Sequence, residues 1–227
     1  MTQDKFLPPQ LVTQARMLYF CWVPADPDAA AALLPPGLKP AENGAIYLNQ
    51  YAVDRPEQTS HFGAYSLTYM GLDLAGLDLA DGTPGRYWTG YYNSNAGMRG
   101  YAAESGIPAE EGKTVLELNG DRLTATTESG GVPMIRTEAI AGSGVAEHAR
   151  GHLRYIVQQD GTLMSGRYAY VGDMADPFEV LSVEFLDPNH PTWAIRPASP
   201  LEITFGFYSP SASFCYPGGV EPLVTVE

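Results

Sequence analysis

Glycine and proline interrupt this chain at close intervals, and they constrain its fold more than any other feature. The 24 glycines and 19 prolines are spread over all 227 residues, so only short segments fit between the turns. Most of these segments are rich in aromatic and β-branched residues, which favours strands over helices. The pattern predicts a mainly β, largely antiparallel protein, a barrel or a sandwich, with about nine or ten strands and one or two short helices.

Turn and cap residues mark where the predicted elements begin and end. The Asn-Gly pair at 119–120 and the Asp-Gly pair at 160–161 are hairpin signals between strands. Asp26 is a candidate N-cap for a helix over residues 27–34, and residues 95–108 are predicted to hold one or two helical turns. The predicted strands cover residues 16–23, 45–53, 64–72, 86–93, 114–118, 122–128, 151–158, 162–171, 179–186 and 201–208, and residues 214–216 are a short further candidate.

Length and charge limit the domain count and the kinds of partner. A β barrel or sandwich of roughly 200 to 250 residues is commonly one domain, and no linker divides this sequence, so residues 1–227 are predicted to form a single domain. The net charge of −13 predicts that nucleic acid and anionic membrane surfaces are not partners. Without a signal peptide or a long apolar run, the chain is predicted to be cytoplasmic, with Cys21 and Cys215 reduced.

Motifs for several enzyme classes do not occur in the sequence. It has no G-x-S-x-G elbow, no P-loop and no G-x-G-x-x-G, which leaves small-molecule carbon chemistry without a cofactor. His148 and His152 have a spacing that suits metal ligands, but no clear third ligand accompanies them. A structural or rim position is therefore the favoured interpretation of this pair, and no metal site is predicted.

Charged and aromatic residues in three segments are candidates for a small-molecule site. Arg16 stands at the start of an apolar strand, where a guanidinium either pairs with a buried carboxylate or binds an anionic substrate. Glu104, Glu110 and Glu111 lie in a glycine-rich loop, where a carboxyl is either solvated or, if partly desolvated, suited to acid or base catalysis. The tyrosines within residues 87–92 are typical of sheet packing, with a hydroxyl in a pocket as the alternative.

Taken in order, several segments resemble the acetoacetate decarboxylase superfamily. Arg16 opens an aromatic strand, and residues 33–38 (Leu-Leu-Pro-Pro-Gly-Leu) are similar to the family's Leu-Leu-Pro-x-x-Leu segment. Residues 106–110 (Gly-Ile-Pro-Ala-Glu) are similar to its Gly-aromatic-Pro-Lys-Lys loop, and residues 114–131 and 153–162 to its two hairpins. The resemblance covers nearly the whole chain. It implies a closed, cone-shaped antiparallel β-barrel with a flanking sheet and short helices, a cavity for a small ligand, and a homo-oligomer.

One departure from the family bears directly on the chemistry. The family's decarboxylases form a Schiff base through a lysine of that loop, and the two lysine positions are Ala109 and Glu110 here. Neither side chain can form an imine. The resemblance therefore implies an enzyme that keeps the pocket and works without a Schiff base.

The combined expectation is a lyase (C–C or C–O), hydratase or isomerase that acts on a small keto, enol or oxygenated carboxylic acid by acid–base chemistry. Arg16 matches the family's carboxylate-binding arginine, and Glu110 or Glu104 is expected to move the proton. The predicted substrate contacts are Arg16, Asn49, Tyr65, Tyr91 and Ala109, with Asn49 and Tyr91 stabilising an enolate oxygen. The alternatives are a catalytically silent protein that binds a small ligand, and a decarboxylase that uses Lys113.

Overall fold

One sheet runs through every strand of the computed structural model, which describes residues 6–223. The ends of the predicted domain, residues 1–5 and 224–227, lie outside the described part. The strands are β1 (Gln10–Trp22), β2 (Ile46–Val53), β3 (Tyr65–Asp73), β4 (Gly85–Asn93), β5 (Ala109–Asn119), β6 (Arg122–Ser129), β7 (Val132–Gln159), β8 (Thr162–Phe185), β9 (Ile203–Tyr216) and β10 (Glu221–Pro222). The helices are α1 (Pro27–Ala31) and α2 (Ala96–Ala103), with 3₁₀ turns at Pro56–Gln58 and Pro191–Ile195.

Seven strands close into a ring, in the order β1, β2, β3, β4, β7, β8 and β9, with β9 pairing back to β1. The neighbours in this ring are antiparallel except β4 and β7, which run parallel. These two strands meet only over residues 85–87 and 154–156, and we call this short pairing the seam. The predicted mainly β closed barrel is confirmed, although the β4–β7 pairing in its ring is parallel rather than antiparallel.

A second layer covers the outer face of β1, β2 and β3. It is built from β5, β6, the first part of β7 and the last part of β8. Strands alternate their side chains between two faces, so the residues of β1 fall into an inward and an outward set. Met17, Tyr19 and Cys21 belong to the core inside the barrel, and Leu18, Phe20 and Trp22 to the core under the second layer. This layer confirms the predicted flanking sheet.

The long strands β7 and β8 are the main difference from the predicted elements. The sequence prediction left residues 129–150 and 172–178 unassigned, but most of them extend these two strands. Their middle part forms a largely exposed two-stranded ribbon whose register shifts near residues 141–147. This ribbon is exposed, rich in glycine and interrupted by bulges, so its residues show no clear alternation of apolar and polar side chains. The sequence therefore carries little signal for these extensions of β7 and β8.

The predicted N-cap of the first helix is confirmed, and the length of that helix is corrected. Asp26 Oδ1 accepts a hydrogen bond from the Ala29 amide at 3.0 Å, which makes Asp26 the N-cap of α1. This helix ends at Ala31, earlier than predicted, because the chain turns before Pro35. The predicted helical turns after residue 95 are α2. No helix within residues 6–223 is long and apolar enough to cross a membrane.

Candidate active site

A cavity of about 170 Å³ lies inside the barrel, and we call it the barrel cavity. Its walls are largely aromatic and aliphatic, with rings from β1, β8 and β9. Polar groups enter the cavity from five strands, in the side chains of Asn49, Tyr69, Arg86, His152 and Tyr168. An apolar enclosure with a few convergent polar groups is the usual form of a small-molecule site.

Arg86 supplies a buried positive charge to the barrel cavity. It is the second residue of β4 and lies directly opposite Asp73, the last residue of β3. Its Nε donates to Asp73 Oδ1 at 2.8 Å. The Arg86 side chain is only 13% exposed, and its guanidinium carbon lies 5.1 Å from the ring centre of Tyr47 and 5.5 Å from that of Tyr19. Within residues 6–223, the terminal nitrogens Nη1 and Nη2 make no hydrogen bond. They are therefore available to an anionic ligand.

Burial and charge together set the protonation of this site. Burial acts to lower the pKa of Arg86, but the nearby Tyr19 hydroxyl and Asp73 carboxylate outweigh it and the net pKa shift is upward. Burial also raises the pKa of Tyr69 to about 12 and that of Tyr168 well above its ordinary value. At neutral pH the arginine is thus charged and both tyrosines are neutral hydrogen-bond donors.

A chain of three buried polar side chains crosses the cavity wall. Asn49 Nδ2 donates to Tyr69 Oη at 2.7 Å, and Tyr69 Oη lies 2.7 Å from Tyr168 Oη. Asn49 and Tyr69 are opposite each other on the neighbouring strands β2 and β3, whereas Tyr168 belongs to β8, so the Tyr69–Tyr168 contact exists because the barrel closes. Fixed donors inside a closed cavity suit the stabilisation of negative charge that develops on a ligand oxygen.

The two histidines of the 148–152 segment have different surroundings. His152 lines the barrel cavity but is exposed to solvent, which puts it at the mouth. His148 is 80% exposed, and its Nδ1 lies 2.6 Å from Asp173 Oδ1. No three residues of the metal-ligating types gather as a metal site within the described part of the chain.

Arg16 lies on the opposite side of the barrel wall from the cavity. Its Nε and Nη2 donate to the two carboxylate oxygens of Asp54 at 2.8 and 2.6 Å, and its Nη1 donates to the Leu116 carbonyl oxygen at 2.8 Å. These contacts tie β1 to the segment after β2 and to β5. All three nitrogens of the guanidinium thus have protein acceptors, and the expected substrate-binding role of Arg16 stays a prediction.

The carboxylates that the sequence suggested for proton transfer do not line the barrel cavity. Glu104 follows α2 directly, and Glu110 lies on β5; both are exposed. Ala109 pairs with Tyr91 across β4 and β5 and packs against the barrel core. Lys113 is exposed on β5, away from the cavity lining.

Of the other residues predicted to contact the substrate, one lines this cavity and two lie elsewhere in the barrel. Asn49 lines the barrel cavity. Tyr91 lines a neighbouring void of about 30 Å³ under α2. Tyr65 is buried, and its hydroxyl lies 2.9 Å from Tyr51 Oη. The structure therefore brings Asn49 to the barrel cavity and gives the other predicted residues different neighbours.

Sequence reasoning missed Arg86, Asp73, Tyr69 and Tyr168. A signal for the first two was present, because an acidic residue ends one aromatic strand and a basic residue begins the next. In an antiparallel pair these positions face each other. Tyr69 and Tyr168 had no comparable signal, since they are 99 residues apart and each has the composition of ordinary sheet packing.

Solved structures have a similar fold over nearly the whole length of this chain. A structure described as acetoacetate decarboxylase has a TM-score of 0.69 and 15% identity, covering 98% of this chain and 92% of that one. The enduracididine biosynthesis enzyme MppR in complex with pyruvate has a TM-score of 0.68 and 14% identity, covering 98% and 93%. This chain has the acetoacetate decarboxylase-like fold. The predicted resemblance is confirmed at the level of that fold.

A further structure with the acetoacetate decarboxylase-like fold comes from Sphingomonas wittichii RW1 and is described as an acetoacetate decarboxylase-like enzyme. It has a TM-score of 0.63 and 13% identity, covering 100% of this chain and 97% of that one. No protein-family model and no curated protein matches the sequence. At these identities the likeness extends to the acetoacetate decarboxylase-like fold alone.

Proposed function

We propose that this protein is an enzyme that binds a small oxygenated carboxylic acid in the barrel cavity and acts on it as a lyase, hydratase or isomerase without a Schiff base. The observation that carries the proposal is Arg86, a buried cation in the cavity wall whose two terminal nitrogens have no partner within residues 6–223. A carboxylate accepts two parallel hydrogen bonds from such a group.

The proposed chemistry begins with proton removal from the carbon next to an electron-withdrawing carboxylate or carbonyl group. The C–H electron pair forms a C=C bond, and negative charge moves to the ligand oxygen. Tyr69 or Tyr168 donates a hydrogen bond to that oxygen. His152, at the cavity mouth, accepts the proton, because it is the one histidine among the described lining residues and histidine is the most common general base. Glu104 and Glu110 stay as the sequence-based candidates for this role.

Similar folds that bind related compounds support the ligand class. MppR was described in complex with pyruvate and with a condensation product of pyruvate. We transfer to this chain only the class of small oxygenated acid. Arg86 and the hydrogen-bonded wall of the cavity are compatible with that class.

The binding part of the proposal is tested by titrating the protein calorimetrically with a panel of small carboxylic acids, pyruvate among them. Arg86→Gln should weaken binding at least about tenfold, since it removes a charge-assisted contact. Arg16→Gln is the matched control, because Arg16 has the same kind of aspartate pair outside the cavity. If Arg86→Gln unfolds by leaving Asp73 without its cation, the double variant Arg86→Gln/Asp73→Asn replaces it. Equal affinities of wild type and a folded Arg86 variant would contradict the proposal.

The catalytic part is tested by deuterium exchange into a bound acid, followed by proton NMR in heavy water. Wild type should exchange the hydrogens next to the carboxylate or carbonyl, and His152→Gln should slow this exchange by about 10²-fold or more. His148→Gln is the control, since His148 pairs with Asp173 outside the cavity. An unchanged rate in His152→Gln would remove His152 from the mechanism.

The absence of a Schiff base is tested by mass spectrometry after incubation with acetoacetate or pyruvate and borohydride. Lys39 and Lys113 are exposed and do not line the cavity, and Lys5 lies outside the described residues. We expect no covalent adduct. An adduct that disappears in Lys113→Ala would instead support a decarboxylase that uses Lys113.

A protein that binds a small acid without converting it is the second candidate function. The observation that favours it is the composition of the lining, in which the described residues include one histidine, His152, and no carboxylate, lysine or cysteine. Micromolar or tighter binding with no exchange or turnover of any bound acid would establish this alternative.

We also propose that residues 1–227 form one domain, that the protein is cytoplasmic and that it assembles as a homo-oligomer. Only 17% of the residues are charged. This low fraction favours uncharged surface that can be buried in contacts between subunits. Light scattering coupled to gel filtration measures the assembly, and a mass near 24.5 kDa would contradict it.

A further inference from the structure

The side-chain amide of Asn49 carries a buried acceptor without a partner. Asn49 is 1% exposed, and it lines the barrel cavity. Its Nδ2 donates to Tyr69 Oη, whereas its Oδ1 is buried and accepts no hydrogen bond from any described residue. Because native proteins pair nearly all such acceptors, this oxygen is a position for a hydrogen-bond donor that arrives with a ligand.

The neighbouring tyrosines add one donor beside this acceptor. Tyr69 and Tyr168 share a single hydrogen bond, which uses one of their two hydroxyl protons. The second hydroxyl proton has no acceptor within residues 6–223. The cavity wall therefore offers a ligand one acceptor, Asn49 Oδ1, and one hydroxyl proton, on side chains that are hydrogen-bonded to each other.

Resting on the proposed function, we propose that the barrel cavity selects a small hydroxy acid over the corresponding oxo acid. The carboxylate accepts from the terminal nitrogens of Arg86. The ligand hydroxyl donates to Asn49 Oδ1 and accepts the spare tyrosine proton, so the open hydrogen-bonding positions of Arg86, Asn49 and the tyrosine pair are all filled. The carbonyl oxygen of an oxo acid has no proton to donate, and it leaves Asn49 Oδ1 unpaired in a dry cavity.

The size of the cavity limits the ligand to a few carbons. Its volume is about 170 Å³, and an apolar protein cavity of about 150 Å³ is large enough to hold benzene, with six non-hydrogen atoms. Hydroxy acids of three or four carbons have six or seven such atoms. Lactate and 3-hydroxybutyrate are therefore suitable probes, and pyruvate and acetoacetate are their oxo partners.

The experiment compares the two members of each pair by calorimetry on the full-length protein. We expect lactate or 3-hydroxybutyrate to bind at least about tenfold more tightly than its oxo partner, because an unpaired buried acceptor reduces affinity by roughly this factor or more. Asn49→Leu should remove this preference and bring the ratio close to one. Asn119→Leu, at an exposed position away from the cavity, should leave the ratio unchanged.

The outcomes separate this inference from the proposed function. Equal or tighter binding of the oxo acids by wild type, with binding still dependent on Arg86, overturns the preference and leaves the proposed function in place. Binding of neither class, with no difference between wild type and the Arg86 variants, overturns both. The wild-type ratio decides the question even if Asn49→Leu does not fold.

Discussion

Two arginine–aspartate pairs lie on opposite sides of the barrel wall, and they have different consequences. The Arg86–Asp73 pair is mostly buried and faces the cavity, with 13% and 16% of the two side chains exposed. The Arg16–Asp54 pair is partly solvated, with 30% and 43% exposed. The first pair places a charge where a ligand can reach it, and the second joins strands.

Replacing Arg16 should therefore affect stability rather than ligand binding. Hydrogen bonds from Arg16 hold the pKa of Asp54 below its usual range. A lowered carboxyl pKa contributes stability above the unfolded-state pKa near 4, and this contribution is lost as the pH falls through the lower folded-state value. Arg16→Gln should be less stable by about 1 kcal/mol at pH 7, a modest amount because the pair is solvated.

Urea unfolding at several pH values checks this prediction. The difference between wild type and Arg16→Gln should narrow as the pH falls below about 4, and it should vanish only below the lowered folded-state pKa of Asp54 in wild type. Asp54→Asn should show the same loss at pH 7. A difference that stays constant from pH 7 to pH 3 would show that the ion pair is not its source.

The exposed glutamates give a second prediction at the level of single residues. Glu104→Gln and Glu110→Gln should leave acid binding and hydrogen exchange within about twofold of wild type, because neither side chain lines the cavity and surface changes away from a site have small effects. The assays are those used for the Arg86 and His152 variants. A loss of 10²-fold or more in either variant would restore the sequence-based assignment.

The sequence analysis predicted the types of residue in the site better than it predicted which side chains point into the cavity. Asn49 was among the expected contacts and lines the cavity, whereas Arg16 lies one position before the cavity residue Met17. In a strand, a shift of one residue moves a side chain to the opposite face. When both faces are buried, as throughout β2, hydrophobic alternation does not distinguish inside from outside.

At the level of elements, the β3–β4 pair that carries Asp73 and Arg86 depends on a glycine. A Cβ added to Gly71 would lie 1.8 Å from the Tyr87 carbonyl oxygen and 2.8 Å from Tyr47 Oη. The register shifts between Met70 and Gly71, so the two backbones approach closely there. Only a residue without a side chain fits this close approach.

Gly71→Ala should lower the free energy of unfolding by about 3 kcal/mol or more, because the backbone contact cannot move aside. Gly100→Ala is the matched control. Gly100 lies within α2 and an added Cβ meets nothing within 4 Å, so alanine should stabilise the protein by about 0.5–1 kcal/mol. Thermal and denaturant unfolding measure both. Similar small effects of the two substitutions would contradict the close approach at Gly71.

Element prediction succeeded where short range patterns were strong. The Asn-Gly and Asp-Gly turns, the Asp26 cap and the aromatic strands were found because each depends on neighbouring residues. The ribbon of β7 and β8 was missed because its strands pair with each other rather than with an apolar layer, and its burial pattern between residues 143 and 150 is almost uniformly exposed. Ring closure was implied by the resemblance, not by the strand pattern.

For the whole molecule, the buried tyrosines predict how the protein responds to alkaline pH. Burial raises the pKa of Tyr69 and of Tyr155 to about 12, from an ordinary value of 10. A raised pKa contributes stability that is complete below about pH 10 and is lost as the pH rises toward 12. The fold should therefore weaken from about pH 10 upward.

Phenolate absorbance and circular dichroism, recorded together from pH 8 to pH 12, test this expectation. The phenolate signal of the buried tyrosines should rise only as the sheet unfolds, since ionisation inside the barrel is unfavourable. Full ionisation near pH 10 with an unchanged dichroism spectrum would show that water reaches the barrel interior.

The seam links ligand binding to the closure of the barrel. Arg86 is the middle residue of the β4 stretch that pairs with β7, opposite Tyr155, so the side chain proposed to bind the acid is anchored in the shortest pairing of the ring. We expect any opening of these few hydrogen bonds to shift the Arg86 side chain and weaken acid binding. Binding and opening then exclude each other, and a bound acid should slow amide hydrogen exchange at residues 85–87 and 154–156 more than elsewhere in the sheet.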